Sequence, residues 1–389
     1  MVRAPRLHRG GPGFESLRAH HKSPVGEYPL HVFALIEALS VTGPAKNLIQ
    51  FAKLAPRLDP PIRVSLLTFR RPGDAARDPF LDACAAAGLE VHVIKESGPW
   101  DFRTIAKLHQ LIRDQKPDVF QTHSIKGHFL GWLGRFSKRL PWIAFHHGYT
   151  KPTTKQLFYN SLGSFATTKA SLCVTVTKAF VRELTDAGVD ASRIRVIQNA
   201  IDPEWLDVLP SVSGEGRKKL LAIGRLSKEK GHADLIEAMR LMPEGNAELI
   251  LVGDGFERER LRAQADANGL SVRFVGQVED VRPYFQEADV FVLPSHSEGS
   301  PNVLMEAMLA GKPIIATTAG GIPDAVMNDQ HALLVPPASP PQLAAAISRM
   351  LEKPELAQRL ASNARARAIE EFSPMVRARR IAEIYRSVR

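Results

Sequence analysis

A chain of 389 residues, 44% hydrophobic and 24% charged, is long enough for two domains with cores of their own. No apolar run approaches the ~18 residues of a membrane span, and no apolar signal core is visible near the N-terminus. The formal net charge of +10 is dispersed, and no nucleic-acid module is legible, so nucleic acid is set aside. An anionic membrane surface and a nucleotide diphosphate are the favoured partners, and mere solubility accounts for the charge equally well. Cys84 and Cys173 lie in apolar contexts, which fits buried thiols in a reducing compartment rather than a disulfide framework.

Residues 1–27 do not read as fold. Arg3, Arg6, Arg9, Arg18 and Lys22 outweigh Glu15 and Glu27, and Pro5, Gly10, Gly11, Pro12, Gly13 and Pro24 break any periodicity. A disordered basic extension is one expectation. A start assigned too far upstream is the other, because Gly13-Phe14-Glu15-Ser16 can be encoded by GGG TTC GAA TCC, which carries the invariant T-arm sequence of a tRNA gene.

From residue 28 to 202 the pattern alternates strand and helix. Apolar runs at 30–37, 62–69, 90–96, 118–124, 142–148, 172–177 and 193–198 read as strands, with helical runs between most of them. Such an order means a parallel sheet with helices on both faces, and ligands bind outside the carboxyl ends of its strands. The turns that matter are therefore Thr42 to Lys46, His123 to Lys126, His146 to Thr150 and Thr175 to Lys178. The amphipathic run 153–165 reads as a membrane-contacting or acceptor-facing helix, or as one packed on its own sheet.

Residues 203–218, rich in Pro and Gly, read as a linker, and a second β/α series fills 219–373. It opens with a strand ending at Gly224. Arg225 and Lys230 bracket the loop that follows, and two cations beside a strand end suit a diphosphate, the arginine as a planar fork and the lysine as a point charge. The run 288–294 is a buried strand. Polar Ser295 to Gly299 follow, then Ser300 as a helix cap and Pro301 at the first helical position, with Gly311 as the stop. A helix N-terminus there is an anion site whose donors are the N–H groups of Asn302, Val303 and Leu304. Asn302 and Glu306 share a face, and Glu298 lies just before it, so the two carboxylates can accept from sugar hydroxyls. Gly320 and Gly321 read as a tight turn with a close neighbour. The tail from about Pro340 is helical, and 374–389 is a basic amphipathic helix.

The stretch SEGSPNVLMEAMLAGKPIIATTAGGIPDAV resembles the signature of the family 4 glycosyltransferases, a large retaining group with the GT-B fold. The resemblance implies an α/β chain of two Rossmann-like β/α/β domains with parallel sheets facing across a cleft, the final helix commonly crossing back to the first domain. Glu298 and Glu306 match that family's paired glutamates, which places Glu298 at the transferred sugar and Glu306 on the nucleotide ribose. Gly224, Arg225 and Lys230 match its G-R-x-x-x-x-K-G motif on the leaving diphosphate. Gly276 falls in the segment that lines the base pocket, and Gly299 and Ser300 complete the donor side. His147, preceding Gly148, aligns with a histidine near the reacting sugar, as a donor to it or as a carrier of charge; His146 is expected to pack. Gly43, Lys46, His123 and Lys126 are expected on the acceptor side, although Pro44 and Lys46 depart from the family's glycine pair and acid.

The implied function is transfer from a UDP-, GDP- or ADP-linked sugar to a saccharide or lipid-linked acceptor hydroxyl, with retention. No cofactor and no metal are expected, since D-x-D is absent from the chain. The expected place is cytoplasmic, peripheral on the inner membrane face. A nucleotide-sugar epimerase on the same fold, and a silent nucleotide-sugar or nucleic-acid binding protein, are the alternatives; the Arg225/Lys230 and Glu298/Glu306 pairs argue against them.

Overall fold

The structure, a computed structural model, describes residues 8–9, 14–17, 29–74, 77–98, 101–148, 154–202, 217–243 and 247–389; for 8–9, 14–17 and 154–159 it describes the backbone path alone. The chain divides into two compact units, Met1–Gln198 with Pro374–Arg389, and Asn199–Ser373. The linker expected at 203–218 lies almost wholly outside the described residues.

In the first unit the strands are β1 (His8–Arg9), β2 (Phe14–Leu17), β3 (Leu30–Leu35), β4 (Ile62–Arg70), β5 (Val91–Lys95), β6 (Val119–Thr122), β7 (Trp142–His146), β8 (Leu172–Thr175) and β9 (Ile194–Val196). The helices between them are α1 (Gly43–Leu54), α2 (Pro79–Ala86), α3 (Arg103–Gln115), α4 (Ile125–Leu133), α5 (Thr154–Thr167) and α6 (Lys178–Asp186). The sheet runs β1-β2-β5-β4-β3-β6-β7-β8-β9. From β5 to β9 every pairing is parallel. Strands covered on both faces read as near-continuous apolar runs, and β3 is buried along its whole length. Chain order reverses between β3 and β6, so the loops after these two strands flank a topological switch point.

The N-terminal stretch departs from the expectation of a tail without fold. Phe14–Leu17 pairs antiparallel with β5, and His8–Arg9 pairs with it in turn. The unpaired N–H and C=O groups along the edge of β5 are a template for any extended segment long enough to reach them.

The second unit has strands β10 (Lys218–Ile223), β11 (Ala247–Val252), β12 (Val272–Gly276), β13 (Val290–Leu293), β14 (Ile314–Thr317) and β15 (Leu333–Val335). Its helices are α7 (His232–Arg240), α8 (Arg258–Ala267), α9 (Arg282–Glu287), α10 (Asn302–Leu309), α11 (Ile322–Ala325), α12 (Pro340–Glu352) and α13 (Pro354–Glu371). The sheet, β12-β11-β10-β13-β14-β15, is parallel throughout. Its switch point lies between β10 and β13. The loop carrying Arg225 and Lys230 leaves the first, and the loop carrying Glu298 leaves the second.

The final helix, α14 (Pro374–Ser387), belongs to the first unit and packs on α1. Tyr385 is fully buried there, with its ring edge-on to Phe51 at 5.8 Å between centroids. Its hydroxyl donates to Gln121 Oε1. Replacing a buried aromatic by alanine loses both transfer energy and packing, so Tyr385→Ala is expected to cost the first unit about 3–5 kcal/mol. Urea unfolding followed by tryptophan fluorescence checks this; a midpoint equal to the wild type would mean that α14 is not part of this core.

Candidate functional site

In the second unit the loops after β10 and β13 are locked together by backbone as well as by charge. Gly231 has φ 65°, and a Cβ placed on it would stand 2.0 Å from the Pro294 carbonyl oxygen. Gly320 has φ 53°, and a Cβ there would stand 1.8 Å from the Glu298 carbonyl oxygen. Only glycine fits such contacts in the left-handed region. The Gly321 N–H donates to that same Glu298 carbonyl at 3.1 Å, and the His296 N–H donates to the Glu229 carbonyl at 2.8 Å.

Glu298 is 9% exposed. Its Oε1 accepts from Lys230 Nζ at 2.7 Å and from Ser295 Oγ at 2.6 Å. A carboxylate leaves water only when paired and hydrogen-bonded, and this one is both. Its Oε2 receives no hydrogen bond among the described residues. Arg225 is exposed and makes no ion pair among the described residues. His232, buried behind Lys230, has its imidazole pushed down to about 4 by burial and by the neighbouring ammonium, so it stays neutral.

Helix α10 begins at Asn302, one residue later than expected. Pro301, with φ −76° and ψ 92°, takes the capping position, and no side chain caps it. The Leu304 N–H donates to the Pro301 carbonyl at 3.0 Å. Leu304 is also fully buried, which corrects its assignment as a donor to ligand. Asn302 and Val303 keep theirs, and Asn302 Oδ1 accepts from Asn199 Nδ2 at 3.0 Å. Glu306 is half-buried on this helix, and Gly299 and Ser300 are half-buried just before it. Gly224, at the end of β10, and Gly276, at φ 89° closing β12, both border Gly253: its N–H donates to the Gly276 carbonyl at 2.8 Å, and its α-carbon packs on the Gly224 carbonyl.

In the first unit, His123 follows β6 and His147 follows β7. Their rings stack at 12° with centroids 5.3 Å apart, and His123 Nδ1 lies 3.0 Å from His147 Nε2. A chain of hydrogen bonds sets the tautomers. Tyr385 donates to Gln121 Oε1, which turns the Gln121 amide nitrogen toward His123 Nε2. His123 Nδ1–H then donates to His147 Nε2, and His147 Nδ1–H is left as a donor. Burial, with Arg377 and His146 nearby, pushes His147 down to about 3. A cationic His147 does not fit this environment. His146 lies inside β7, 3% exposed, with its ring edge-on to Phe180.

Of the acceptor-side residues, Gly43 and Lys46 lie exposed in the first turn of α1, and a Cβ on Gly43 would meet nothing within 4 Å. Lys126 donates to Glu96 and lies 4.1 Å above the Phe69 ring. Sequence reasoning missed Gln121, Ser295, Arg377 and Tyr385. Arg377 is 6% exposed and stands beside His123 and His147, yet it sits in what reads as a surface helix.

Among the described residues no helix is long and apolar enough to cross a membrane, and no group of histidine, cysteine, aspartate and glutamate is arranged to hold a metal ion.

The family profile described as "Glycosyl transferases group 1" matches residues 209–367, and "Glycosyltransferase Family 4" matches residues 49–205. The chain is 30% identical over 278 residues to the lipopolysaccharide core biosynthesis glycosyltransferase LpsE of Rhizobium meliloti, covering 69% of this chain and 75% of that one. It is 30% identical over 233 residues to the glycogen synthase of Mycobacterium tuberculosis, of whose length it spans 56%. The crystal structure of Anabaena Alr3699/HepE in complex with UDP superposes with a TM-score of 0.76 at 24% identity, over 92% of this chain and all of that one, and has the same two-domain fold.

Histidines held neutral by burial give a pH dependence of known sign. Unfolded histidine binds a proton near 6.5, whereas burial pushes His31 down to about 4 and His128 and His147 down to about 3. Between those values the unfolded chain binds more protons, so stability is full above 6.5 and falls as the pH drops toward 4, by up to ~1.4 kcal/mol per pH unit for each histidine. Urea midpoints of the wild type from pH 7.5 to 5 should fall, and His147→Gln should flatten the curve; parallel curves would show that His147 titrates normally.

Proposed function

This chain belongs to the family 4, group 1 glycosyltransferases, and we propose that it moves a hexosyl group from a nucleotide diphosphate-sugar to an acceptor hydroxyl. The observation that carries this reading is the buried Glu298 held by Lys230 and Ser295 at the switch point of the second unit, one loop away from the open N-terminus of α10. The roles assigned here to single residues are part of the proposal.

Breaking the sugar–phosphate bond leaves negative charge on the diphosphate. Arg225, Lys230 and the N–H groups of Asn302 and Val303 oppose that charge. An ammonium has three donors, so Lys230 can hold Glu298 and a phosphate oxygen together. Glu298 Oε2 accepts from a hydroxyl of the transferred sugar, and Glu306 from the ribose. His147 Nδ1–H donates to the sugar as a neutral group. Retention, and transfer without metal or cofactor, belong to the proposal by likeness to the family. Relatives named for lipopolysaccharide core and teichuronic acid biosynthesis support an acceptor in cell-surface polysaccharide, lipopolysaccharide or glycolipid synthesis. A peripheral position on the cytoplasmic membrane face accords with such an acceptor.

Calorimetric titration with UDP, GDP and ADP tests the donor site. One nucleotide should bind preferentially, and Arg225→Ala and Glu306→Ala should each weaken it about 10- to 100-fold, or ~1.4–2.8 kcal/mol. Glu298→Gln should retain nucleotide binding and lower transfer by a factor of ~10²–10³. Absence of binding, or variants that bind like the wild type, would overturn the assignment and favour a silent or nucleic-acid binding protein.

A further inference from the structure

A cavity of about 530 Å³ lies in the first unit, and none of the residues assigned above to donor and sugar lines it. It is formed where β4 and β5 end and α3 begins. Ligands of doubly wound sheets bind at such carboxyl ends, and the volume lies in the range of small-molecule sites. Five cations line it: Arg70 at the end of β4 and Arg71 just after it, Lys95 at the end of β5, and Arg103 and Lys107 on the first turns of α3. Two carboxylates, Glu96 and Asp101, line it with them.

Part of this charge is paired: Asp78 pairs with Arg70, and Glu37 with Arg71. Asp101 takes the Arg103 guanidinium and N–H. Among the described residues Lys107 Nζ has no carboxylate, and it donates to the Lys95 carbonyl oxygen. Arg103 and Lys107 also stand at the N-terminal end of a 13-residue helix whose first turn holds no acid, Asp101 just before it being, among the described residues, the one carboxylate on its N–H groups. Cations there oppose the helix dipole, an arrangement that an anion between them relieves.

The cavity is also built. The Glu96 side chain is fully buried, accepting from Arg71 Nε at 2.7 Å and from Lys126 Nζ. It fixes one guanidinium toward the cavity and ties the cavity to Lys126, expected on the acceptor side from the sequence. We infer that this cavity binds a phosphate or diphosphate group carried by the acceptor. The inference rests on the reading of the first unit as the acceptor-binding unit, and it adds that the acceptor is anionic. Arginine forks and a lysine point charge are the chemistry that grips phosphate oxygens. The phosphate is borne either by a lipid or by a soluble sugar phosphate.

The test uses the full chain saturated with the nucleotide it prefers, so that the second unit is already occupied. Inorganic pyrophosphate is titrated by calorimetry, and co-sedimentation is measured with phosphatidylcholine vesicles with and without phosphatidic acid. Arg103→Ala/Lys107→Ala is compared with Lys138→Ala/Arg139→Ala, which removes the same charge from exposed positions elsewhere in the first unit. The expected result is a pyrophosphate affinity at least tenfold weaker in the first double variant and unchanged in the second, with nucleotide affinity equal in all three proteins. Loss of binding to phosphatidic acid vesicles in the first variant alone assigns the phosphate to a lipid; pyrophosphate binding without vesicle binding assigns it to a soluble acceptor. If the saturated protein binds neither probe, or if both double variants behave alike, the inference is overturned. If no nucleotide binds at all, it is the donor reading that fails.

Discussion

A carboxylate cannot be taken out of water alone, and the second unit is arranged around that constraint. Glu298 is held by an ammonium from one loop and a hydroxyl from its own, while its carbonyl oxygen lies where only glycine can approach. Removing any one of these partners leaves a buried charge or a backbone clash, not merely a weaker contact. The parallel sheet makes the pairing possible. Strands β10 and β13 are neighbours in space but lie far apart in the chain, so the two loops meet only because the order reverses between them.

Much of this was legible because it is local. Continuous Val-, Ile- and Leu-rich runs marked the strands of both sheets, and the spacing of Glu298, Asn302 and Glu306 placed a loop and a helix face. Composition failed at single backbone bonds. Ser300 and Pro301 predicted the start of α10 one residue early, because Pro301 adopts an extended ψ, and the Leu304 N–H was already taken by its carbonyl. It failed again where partners are remote. Nothing near Tyr385 announces Gln121, and nothing near Gln121 announces a stacked histidine pair.

Burial is used differently around the stacked histidines. His123, His128 and His147 are buried until they are neutral, beside a guanidinium that is itself buried and pushed down to about 10. A neutral imidazole in a low-dielectric setting is a directional donor rather than a charge, and it remains so across the physiological range.

The position of α14 has a consequence for synthesis. The helix that completes the first core is encoded after the entire second unit, so Phe51 waits for Tyr385 while residues 199–373 emerge from the ribosome. At ~5–20 residues per second, that interval is on the order of ten to thirty-five seconds. During it the apolar face of α1 that α14 later covers is open to water and to whatever else binds nascent apolar surface. The second unit, contiguous in the chain, meets no such delay and is free to fold first.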